Sequence, residues 1–464
     1  MEQKKSNTRW YILSLLFIAT MLLYIDRSAL GILAPYLQEQ IGWTEKQYGY
    51  ITSSFMIGYA ICFLLMGRII DRTGSRKGYA LSMGLWSVAQ LVHALVSSWI
   101  GFAVSRFSLS VGQSGNFPVA IKTVAEWFPK KERALAVSIF NGGSNVGTML
   151  APLVIPVIVL YFGTWRMAFV WTFPVAVIWI FLWLRYYSKP EQNKKVNRAE
   201  LDYILSDDEE ATSTKVSFHT LPKDQKTQRL PLVSSEKVSY RTLLGYRATW
   251  AILVGKFVAD PIWWFYLFWG AKYLYTKFGL NLSEIGLPFF TIYLVSWCGG
   301  ISLGWLSSKL LKQNHPENTK PQVLEQSLSS KILSPDNRLN RGRKLSMMAC
   351  AVCALPVMFV PHVDHVWVAV SLIAVAAGGH CGWSANIFSL MSDIFPKKIT
   401  ASVSGLGGFA GAIGGVIAPI LIGIVLQDAG PEGYIIPFTV AAFGYCFALA
   451  AIQLLLPVIS PLKI

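Results

Sequence analysis

The sequence predicts an all-α membrane protein with twelve transmembrane helices in two pseudo-symmetric six-helix bundles. Of its 464 residues, 53% are hydrophobic and only 14% are charged, which is too apolar for an ordinary soluble domain of this size. About twelve apolar runs are roughly 20 residues or longer, the length that a helix needs to cross about 30 Å of hydrocarbon. In addition, motifs of the first half recur in the second half, which indicates a duplication.

The twelve runs divide evenly between the two halves. Their approximate centres are Leu16, Ile57, Val88, Gly112, Val146, Ile178, Val258, Tyr293, Val352, Val375, Gly411 and Ala448. We assign residues 1–187 to an N-terminal bundle, 188–246 to a cytoplasmic linker and 247–464 to a C-terminal bundle with a cytoplasmic loop at 312–343. The linker contains an acidic run at 207–210 and is expected to be a solvated tether with one amphipathic helix near 198–205.

The repeat is visible in two motifs. Phe128-Pro129-Lys130-Lys131 recurs as Phe395-Pro396-Lys397-Lys398, and Ala151-Pro152 recurs in the same register as Ala418-Pro419. A register shared over this length favours two homologous halves related by an axis along the membrane normal.

The distribution of basic residues predicts the topology. The formal net charge is +16, and basic residues precede the first run and follow the second, fourth and tenth: Lys4, Lys5, Arg9, Arg72, Arg76, Lys77, Lys130, Lys131, Arg133, Lys397 and Lys398. The turns on the other side carry almost no Lys or Arg, so the positive-inside rule places both termini in the cytoplasm. This pattern favours a topological role for the charge over nucleic-acid binding.

Neither a metal site nor a cofactor is predicted. All six cysteines lie in apolar runs, where they behave as small hydrophobic residues. Cys350 and Cys353 are one helical turn apart without a second ligand pair, which favours packing over a metal or redox role. No catalytic constellation of nucleophile and base, and no phosphate-cradling loop, is found, so an enzyme is the least favoured class.

Charged residues within the apolar runs predict the function. Asp26 and Arg27 interrupt the run 10–37, and Arg106 interrupts the fourth run. An ionised group at bilayer depth costs several kcal/mol unless it faces a water-filled cavity or a partner. We expect the two guanidinium groups to meet inside the membrane, where a bound anion is their natural counter-charge. The sequence therefore predicts a carrier for anions.

The turn at 67–77, Gly-Arg-Ile-Ile-Asp-Arg-Thr-Gly-Ser-Arg-Lys, resembles the signature turn of the major facilitator superfamily. The resemblance implies that Asp71 and Arg76 are gate residues, with the acid bridging to a neighbouring helix end and the basic residues holding the bundles together on the cytoplasmic side. Ser75 stands where many members have a basic residue, so a weaker latch is expected. The alternative is a tight turn whose charges only set topology.

A closer resemblance, to the anion:cation symporter family and its bacterial hexuronate branch, rests on five segments. These are Tyr24-Ile25-Asp26-Arg27, Arg106 with Gln113, the run 125–133, the run 260–269, and His380-Cys381-Gly382-Trp383-Ser384-Ala385-Asn386. The resemblance implies that Arg27 pairs with the substrate carboxylate, that Tyr24 and Tyr59 line the same cavity, that Arg106 belongs to a coupling network and that Trp383 stacks on the sugar face.

The chemistry of the neighbouring residues fits the same cargo. Ser144 and Asn145, within the Asn- and Gly-rich run 141–147, offer neutral hydrogen-bond partners for sugar hydroxyls, and the predicted binding set is completed by Trp263, Tyr266, His380 and Asn386. Trp263 and Tyr266 are equally well explained as core aromatic residues. His380 is equally well explained as a proton relay or a structural histidine.

One position departs from the family pattern. Symporters of this family commonly carry a glutamate seven residues after the arginine of the fourth helix, whereas this chain has Gln113, which cannot ionise. Proton coupling is then expected to rest on Asp26, with Na⁺ as the alternative ion. Lys256 and Asp260 lie four residues apart and are expected to pair with each other, and a second carboxylate clamp at Lys256 is the alternative.

We therefore predict a monomeric secondary active transporter, a multi-pass protein of the bacterial inner membrane. It is expected to import a hexuronate or related sugar acid by alternating access and H⁺ symport, surrounded by membrane lipid and without a nucleic-acid partner. Two alternatives stay open: an exchanger for organophosphate, phosphate or other organic anions, and a membrane sensor that does not transport.

Overall fold

The computed structural model describes residues 6–206, 239–312, 335–460 and 462, and every regular element in these residues is a helix. The all-α prediction is therefore confirmed. The acidic run 207–210 and residues 313–334 of the predicted cytoplasmic loop lie outside the described residues.

The N-terminal half contains seven helices before the linker. They are α1 (Thr8–Ile41), α2 (Glu45–His93), α3 (Trp99–Gln113), α4 (Asn116–Trp127), α5 (Lys130–Phe162), α6 (Met167–Val170) and α7 (Thr172–Tyr186). The linker contains α8 (198–206), where the amphipathic helix is predicted. Two local signals shape α2: Thr44 and Gln47 form a reciprocal capping box at its start, and Gly74 interrupts it with a φ of 76°.

The C-terminal half contains six long helices after the short α9 (Tyr240–Leu244). They are α10 (Arg247–Phe278), α11 (Gly286–Lys312), α12 (Pro335–Ala354), α13 (Val366–Ile394), α14 (Lys397–Ala429) and α15 (Ile435–Leu455). Short 3₁₀ segments at Leu355–His362 and Gly430–Tyr434 follow α12 and α14.

By length and hydropathy, the described residues contain eight stretches able to cross a membrane, or nine if the bent pair Glu45–Cys62 and Leu65–His93 forms one span. One of these stretches, Ser402–Leu455, contains most of α14 and all of α15. The count of twelve crossings stays a prediction.

The two halves contact each other closely at one end, which we call the Gly42 end after the residue that caps α1. Tyr48 donates a hydrogen bond to the carbonyl of Phe268 (2.6 Å), and Lys272 forms an ion pair with Glu45. Gly49 packs so closely on α14 that a Cβ there would lie 2.5 Å from the Pro419 carbonyl oxygen. These contacts seal the Gly42 end.

The opposite end, which we call the basic end, bears the Gly74 turn and the start of α5. A cavity lies between the halves. Its wall includes Ser138 on α5 and Phe388 on α13, both in the parts of their helices nearer the basic end. Among the described residues, the molecule is therefore closed at the Gly42 end and open toward the basic end.

Candidate transport site

A cavity of about 720 Å³ lies between the two halves and is lined by helices from both. This volume suits a small organic ligand. The polar and aromatic residues of its wall are Tyr24, Arg27, Tyr59, Ser138, Asn141, Ser144, Asn145, Thr148, Lys256, Asp260, Trp263, Trp264, Trp297, His380, Ser384 and Phe388.

Arg27 is the cation of the N-terminal wall. Its guanidinium carbon lies 4.9 Å from the ring centre of Tyr24, 5.1 Å from that of Tyr59 and 5.7 Å from that of Trp264. Its Nε donates to Gln113 (3.1 Å), while its Nη2 is buried without a hydrogen-bond partner among the described residues. No described carboxylate lies within 4.0 Å of this guanidinium. The group is thus held by neutral partners, and an incoming anion would meet no competing ion pair.

Gln113 positions Arg27 from behind the cavity wall. Its amide oxygen accepts the Arg27 bond, and its Nε2 donates to the Leu23 carbonyl (3.2 Å), so the amide is fixed at both ends. A residue that cannot ionise therefore orients the arginine without neutralising it.

Arg106 contacts the backbone of Arg27, whereas the prediction was that the two guanidinium groups meet. Its Nη2 donates to the backbone carbonyl of Arg27 (3.2 Å), and both guanidinium carbons lie 5.0 Å from the ring centre of Phe55. Arg106 Nε and Nη1, and one oxygen of Asp26, are buried without hydrogen-bond partners among the described residues. Phe55 thus contacts both cations and attracts them through its ring.

Asp26 and Arg27 are adjacent in sequence, but their side chains lie in different surroundings. Asp26 is 2% exposed and does not line the cavity; its electrostatic neighbours are the Thr172 hydroxyl and Arg106. Consecutive helical residues point in directions about 100° apart. The predicted acid of the coupling network therefore lies buried inside the N-terminal half and does not face the cargo space.

The residues predicted to bind the sugar share the N-terminal wall of the cavity with Arg27. Ser144, Asn145, Tyr24 and Tyr59 all line the cavity. The glycines of the run 141–147 place them there, because a Cβ at Gly147 would lie 2.3 Å from the Met21 carbonyl oxygen and would push α5 away from α1.

The C-terminal wall carries the second cation, and it is paired. Lys256 Nζ lies 2.8 Å from Asp260 Oδ2, as predicted from their spacing. The ring of Trp263 is stacked on that of His380 (centres 5.1 Å apart, planes at 15°), and His380 Nδ1 is hydrogen-bonded to the Tyr445 hydroxyl (2.7 Å). This wall offers an indole face and a fixed imidazole to a ligand.

Comparison with known proteins identifies the family. The family model described as Major Facilitator Superfamily matches residues 16–419. The chain belongs to the Major Facilitator Superfamily. It is a multi-pass membrane transporter and not an enzyme, and its substrate is a small molecule.

Two curated relatives and one solved structure refine the comparison. The chain is similar to a hexuronate transporter of Escherichia coli K12 (27% identity over 429 residues, 92% of this chain and 90% of the relative). It is 33% identical to a galacturonate transporter of Dickeya chrysanthemi over 285 residues, 61% of this chain and 77% of the relative. The inward-facing, occupied structure of a bacterial homologue of the human lysosomal transporter Spinster shares the fold, with a TM-score of 0.71, 16% identity and 96% of each chain covered.

Three predicted binding residues of this facilitator lie away from the cavity wall. Tyr266 borders a separate small space with Phe289 and Tyr293, and Trp383 is 1% exposed and packs edge-on against Tyr445 (5.4 Å). In this state Trp383 is therefore not available to stack on a sugar in the cavity. The binding roles of these residues stay predictions that this conformation does not favour.

Asn386, the third of these residues, lies at the centre of a polar network. Its Nδ2 donates to Ser346 (3.0 Å) and to the Gly382 carbonyl (2.9 Å), and its oxygen accepts from Ser307 (2.9 Å). These bonds occupy its polar atoms and give it a structural role in the C-terminal half.

Among the described contacts, the predicted gate residues are bonded within the N-terminal half of the facilitator. Asp71 pairs with Lys122 of α4 (3.0 Å), which agrees with a bridge to a neighbouring helix end, and its side chain is 76% exposed. Arg76 donates to the Leu184 carbonyl of α7, not to the C-terminal half. The implied latch between the bundles is therefore not found among the residues that the structure describes.

Ser75, the departure from the family turn, belongs to a small cluster at the same end. Ser75 donates to Glu126 (3.0 Å), and Tyr187 donates to the same carboxylate. Burial, together with the charge of Glu126, raises the pKa of the Tyr187 hydroxyl, so it stays protonated and keeps donating at neutral pH. This cluster ties α2, α4 and the end of α7 together.

Sequence reasoning missed several residues of the cavity and its support. Phe55, Trp264, Asn141 and Tyr445 were not among the predicted site residues, yet the structure places them at or behind the wall. Asn141 had a signal, since it opens the run that contains Ser144 and Asn145. The aromatic residues had none, because aromatic residues in membrane helices mostly face lipid or core.

Proposed function

We propose that this protein is a secondary active transporter that imports a carboxylated sugar, a hexuronate or related sugar acid, across the bacterial inner membrane by H⁺ symport. The observation that carries the proposal is the state of Arg27: a guanidinium at the cavity wall, surrounded by aromatic rings and held by an amide, with no described carboxylate in pairing distance. Such a group binds a carboxylate through charge-assisted hydrogen bonds.

The rest of the cavity matches a sugar acid better than a phosphate. Asn141, Ser144 and Asn145 supply hydrogen-bonding groups for hydroxyls, and Trp263 and Trp264 supply faces for C–H surfaces. The second cation of the wall, Lys256, is already paired with Asp260. A compact phosphate dianion, which favours two convergent cations, therefore finds only Arg27 free on the described wall. The curated relatives named as hexuronate and galacturonate transporters support the same cargo.

The geometry supports alternating access with the basic end in the cytoplasm. The Gly42 end is sealed by contacts between the halves, whereas the cavity extends toward the basic end. The positive-inside rule assigns the basic end, and with it both termini, to the cytoplasm. We take the structure as the inward-facing state of a transporter that acts as a monomer in lipid.

Proton coupling is assigned to Asp26. Its carboxyl lies near Arg106, and Arg106 donates to the backbone carbonyl of Arg27, so the acid and the cargo cation share one network. Neutralisation of Arg27 by a bound carboxylate changes the field at Asp26, and linkage requires that protonation of Asp26 in turn changes cargo affinity.

Uptake into proteoliposomes tests the proposal. Labelled glucuronate, galacturonate, galactonate and glycerol phosphate are offered with an inward proton gradient, an inward Na⁺ gradient or no gradient. We expect accumulation of the sugar acids only under the proton gradient and no accumulation of glycerol phosphate. Accumulation under the Na⁺ gradient alone would show that Na⁺, not H⁺, is the coupling ion. A preference for glycerol phosphate would show that the cargo is an organophosphate, and saturable binding without flux would indicate a sensor.

A further inference from the structure

The proposed cargo uses one cation, yet the cavity wall carries two. Arg27 lies on α1, in the N-terminal half, and Lys256 lies on α10, in the C-terminal half. Asp260, one helical turn from Lys256, neutralises it at 2.8 Å, and both side chains keep a small exposed fraction, 12% and 20%, toward the cavity. An ion pair used only for structure gains nothing from contact with the transport pathway.

The surroundings of Asp260 hold its carboxylate in place. On α14, Gly411 faces it so closely that a Cβ there would lie 2.0 Å from Oδ2. From α13, His380 interacts electrostatically with Lys256, and from α15, Tyr445 interacts with Asp260. On the side of α1 the titratable groups of the cavity wall are Tyr24 and Arg27. Lys256 is therefore the one cation paired with Asp260 among the described residues.

We propose that Lys256 and Asp260 form a second carboxylate site that opens on protonation. When Asp260 is ionised, the pair has no net charge. When a proton binds Oδ2, the ammonium of Lys256 is released from its partner and offers a positive charge opposite Arg27. A sugar acid with carboxylates at both ends, an aldarate, then binds both walls, whereas a hexuronate uses only Arg27.

The proposal makes affinity for the second carboxylate depend on pH. Proton binding to Asp260 and aldarate binding to Lys256 favour each other, since both remove the competition of two carboxylates for one ammonium. Above the pH at which Asp260 loses its proton, each pH unit weakens aldarate binding by up to about tenfold relative to hexuronate. The preference for the aldarate therefore rises as the pH falls.

The test compares two six-carbon cargos that differ at one end. Unlabelled D-glucuronate and D-glucarate compete with labelled glucuronate for the reconstituted protein between pH 5.5 and 8, and the ratio of their inhibition constants is measured. Effects of Arg27 and Asp26 act on both competitors and cancel in the ratio. We expect the ratio to favour glucarate increasingly at low pH in the unmodified protein.

Variants of the pair separate its two parts. Asp260→Asn should give a ratio that favours glucarate at every pH, and Lys256→Gln should abolish the preference. If Lys256→Gln does not fold, because it leaves Asp260 without its partner, the double variant Lys256→Gln/Asp260→Asn removes both charges and should also show no preference. Lys277→Gln, in the more exposed pair with Asp364 (3.8 Å), is the matched control and should behave as the unmodified protein.

The inference rests on the proposed function, and the two fail differently. Absence of any glucuronate transport would overturn the proposed function. Glucuronate transport with a glucarate ratio that does not change with pH, or that the pair variants leave unaltered, would overturn the second carboxylate site alone.

Discussion

The two walls of the cavity hold their cations in opposite ways. Arg27 is surrounded by aromatic rings and one amide, whereas Lys256 is paired with Asp260 at 2.8 Å. A buried cation without a carboxylate partner keeps a desolvation penalty that rings and an amide offset in part and that a visiting anion reduces further, while a paired cation already has its counter-charge. The difference shows that burial of a charge does not by itself identify a binding residue. What matters is whether the charge already has a partner of opposite sign.

The regions behind the walls differ in the same sense. Behind Arg27, Asp26 and Arg106 have buried atoms without hydrogen-bond partners among the described residues. Behind the C-terminal wall, His380 and Asn386 are hydrogen-bonded to Tyr445, Ser346 and Ser307. The N-terminal side thus has charged groups with unpartnered atoms that can respond to cargo. The C-terminal side has a hydrogen-bonded frame at His380 and Asn386, and its buried atoms without partners include those of the neutral side chains Tyr266 and Trp383.

The largest expected effect comes from the unpaired cation. Arg27→Gln should raise the KM for sugar-acid uptake by about 100-fold or more, because charge-assisted hydrogen bonds contribute about 1.5–3 kcal/mol each. Arg241→Gln, at an exposed position on α9, serves as control. A KM for Arg27→Gln equal to that of the unmodified protein would break the comparison between the walls.

A variant of Asn386 tests the hydrogen-bonded frame of the C-terminal side. Asn386→Ala removes three hydrogen bonds and should lower the free energy of unfolding by about 2 kcal/mol, measured by thermal or denaturant unfolding in detergent, with KM little changed. Asn145→Ala, at the cavity wall, should do the reverse: a KM several-fold higher with little loss of stability. If Asn386→Ala raised KM as Asn145→Ala does, Asn386 would be a cargo ligand, as its motif suggested.

Gly411 tests how the paired cation is held. Gly411→Ala places a methyl group where Asp260 Oδ2 lies and should displace the carboxylate or α14, reducing uptake by about tenfold, which corresponds to about 1.4 kcal/mol. Gly405→Ala, where a Cβ meets nothing within 4 Å, changes the same helix without this contact and is the control. Equal uptake by the two variants would show that the pair tolerates movement of α14.

The sequence was sufficient for the parts of the structure that depend on local pattern. Apolar length predicted the helical membrane fold, and the four-residue spacing of Lys256 and Asp260 predicted their pair. The Asn- and Gly-rich run predicted Ser144 and Asn145 at the cavity, because small residues allow α5 to approach α1.

The sequence was insufficient where the direction of a side chain decides. Arg27 and Asp26 are neighbours in the chain, yet one faces the cargo space and the other faces Thr172. Trp383 and His380 lie in one motif, yet His380 lines the cavity and Trp383 packs against Tyr445. Rotation of a helix about its axis depends on packing against its neighbours, which motif spacing does not encode.

The smallest expected effect concerns the contacts that seal the Gly42 end. These contacts keep both cavity walls facing the basic end. Lys272 of α10 pairs with Glu45 of α2, and Gln38 donates to the other oxygen of Glu45 (3.2 Å). Glu45→Gln keeps an acceptor for Lys272 and removes the charge, so we expect the closed state to lose about 1 kcal/mol, roughly a fivefold shift in population.

A cysteine in the seal measures this shift. Ser53 lies buried between α2 and α14, where it donates to the Val416 carbonyl (2.7 Å). With the six native cysteines replaced, Ser53→Cys should react several-fold faster with an impermeant thiol reagent when Glu45→Gln is present. Glu284→Gln removes a carboxylate at the same end of the molecule and should leave the rate unchanged. Among the described contacts, this carboxylate accepts a hydrogen bond only from the backbone N–H of Asn281, in its own loop (3.1 Å). Because opening this end brings the Arg27 wall to the opposite side of the membrane, an unchanged rate in Glu45→Gln would mean that helix packing, not the ion pair, keeps the walls facing the basic end.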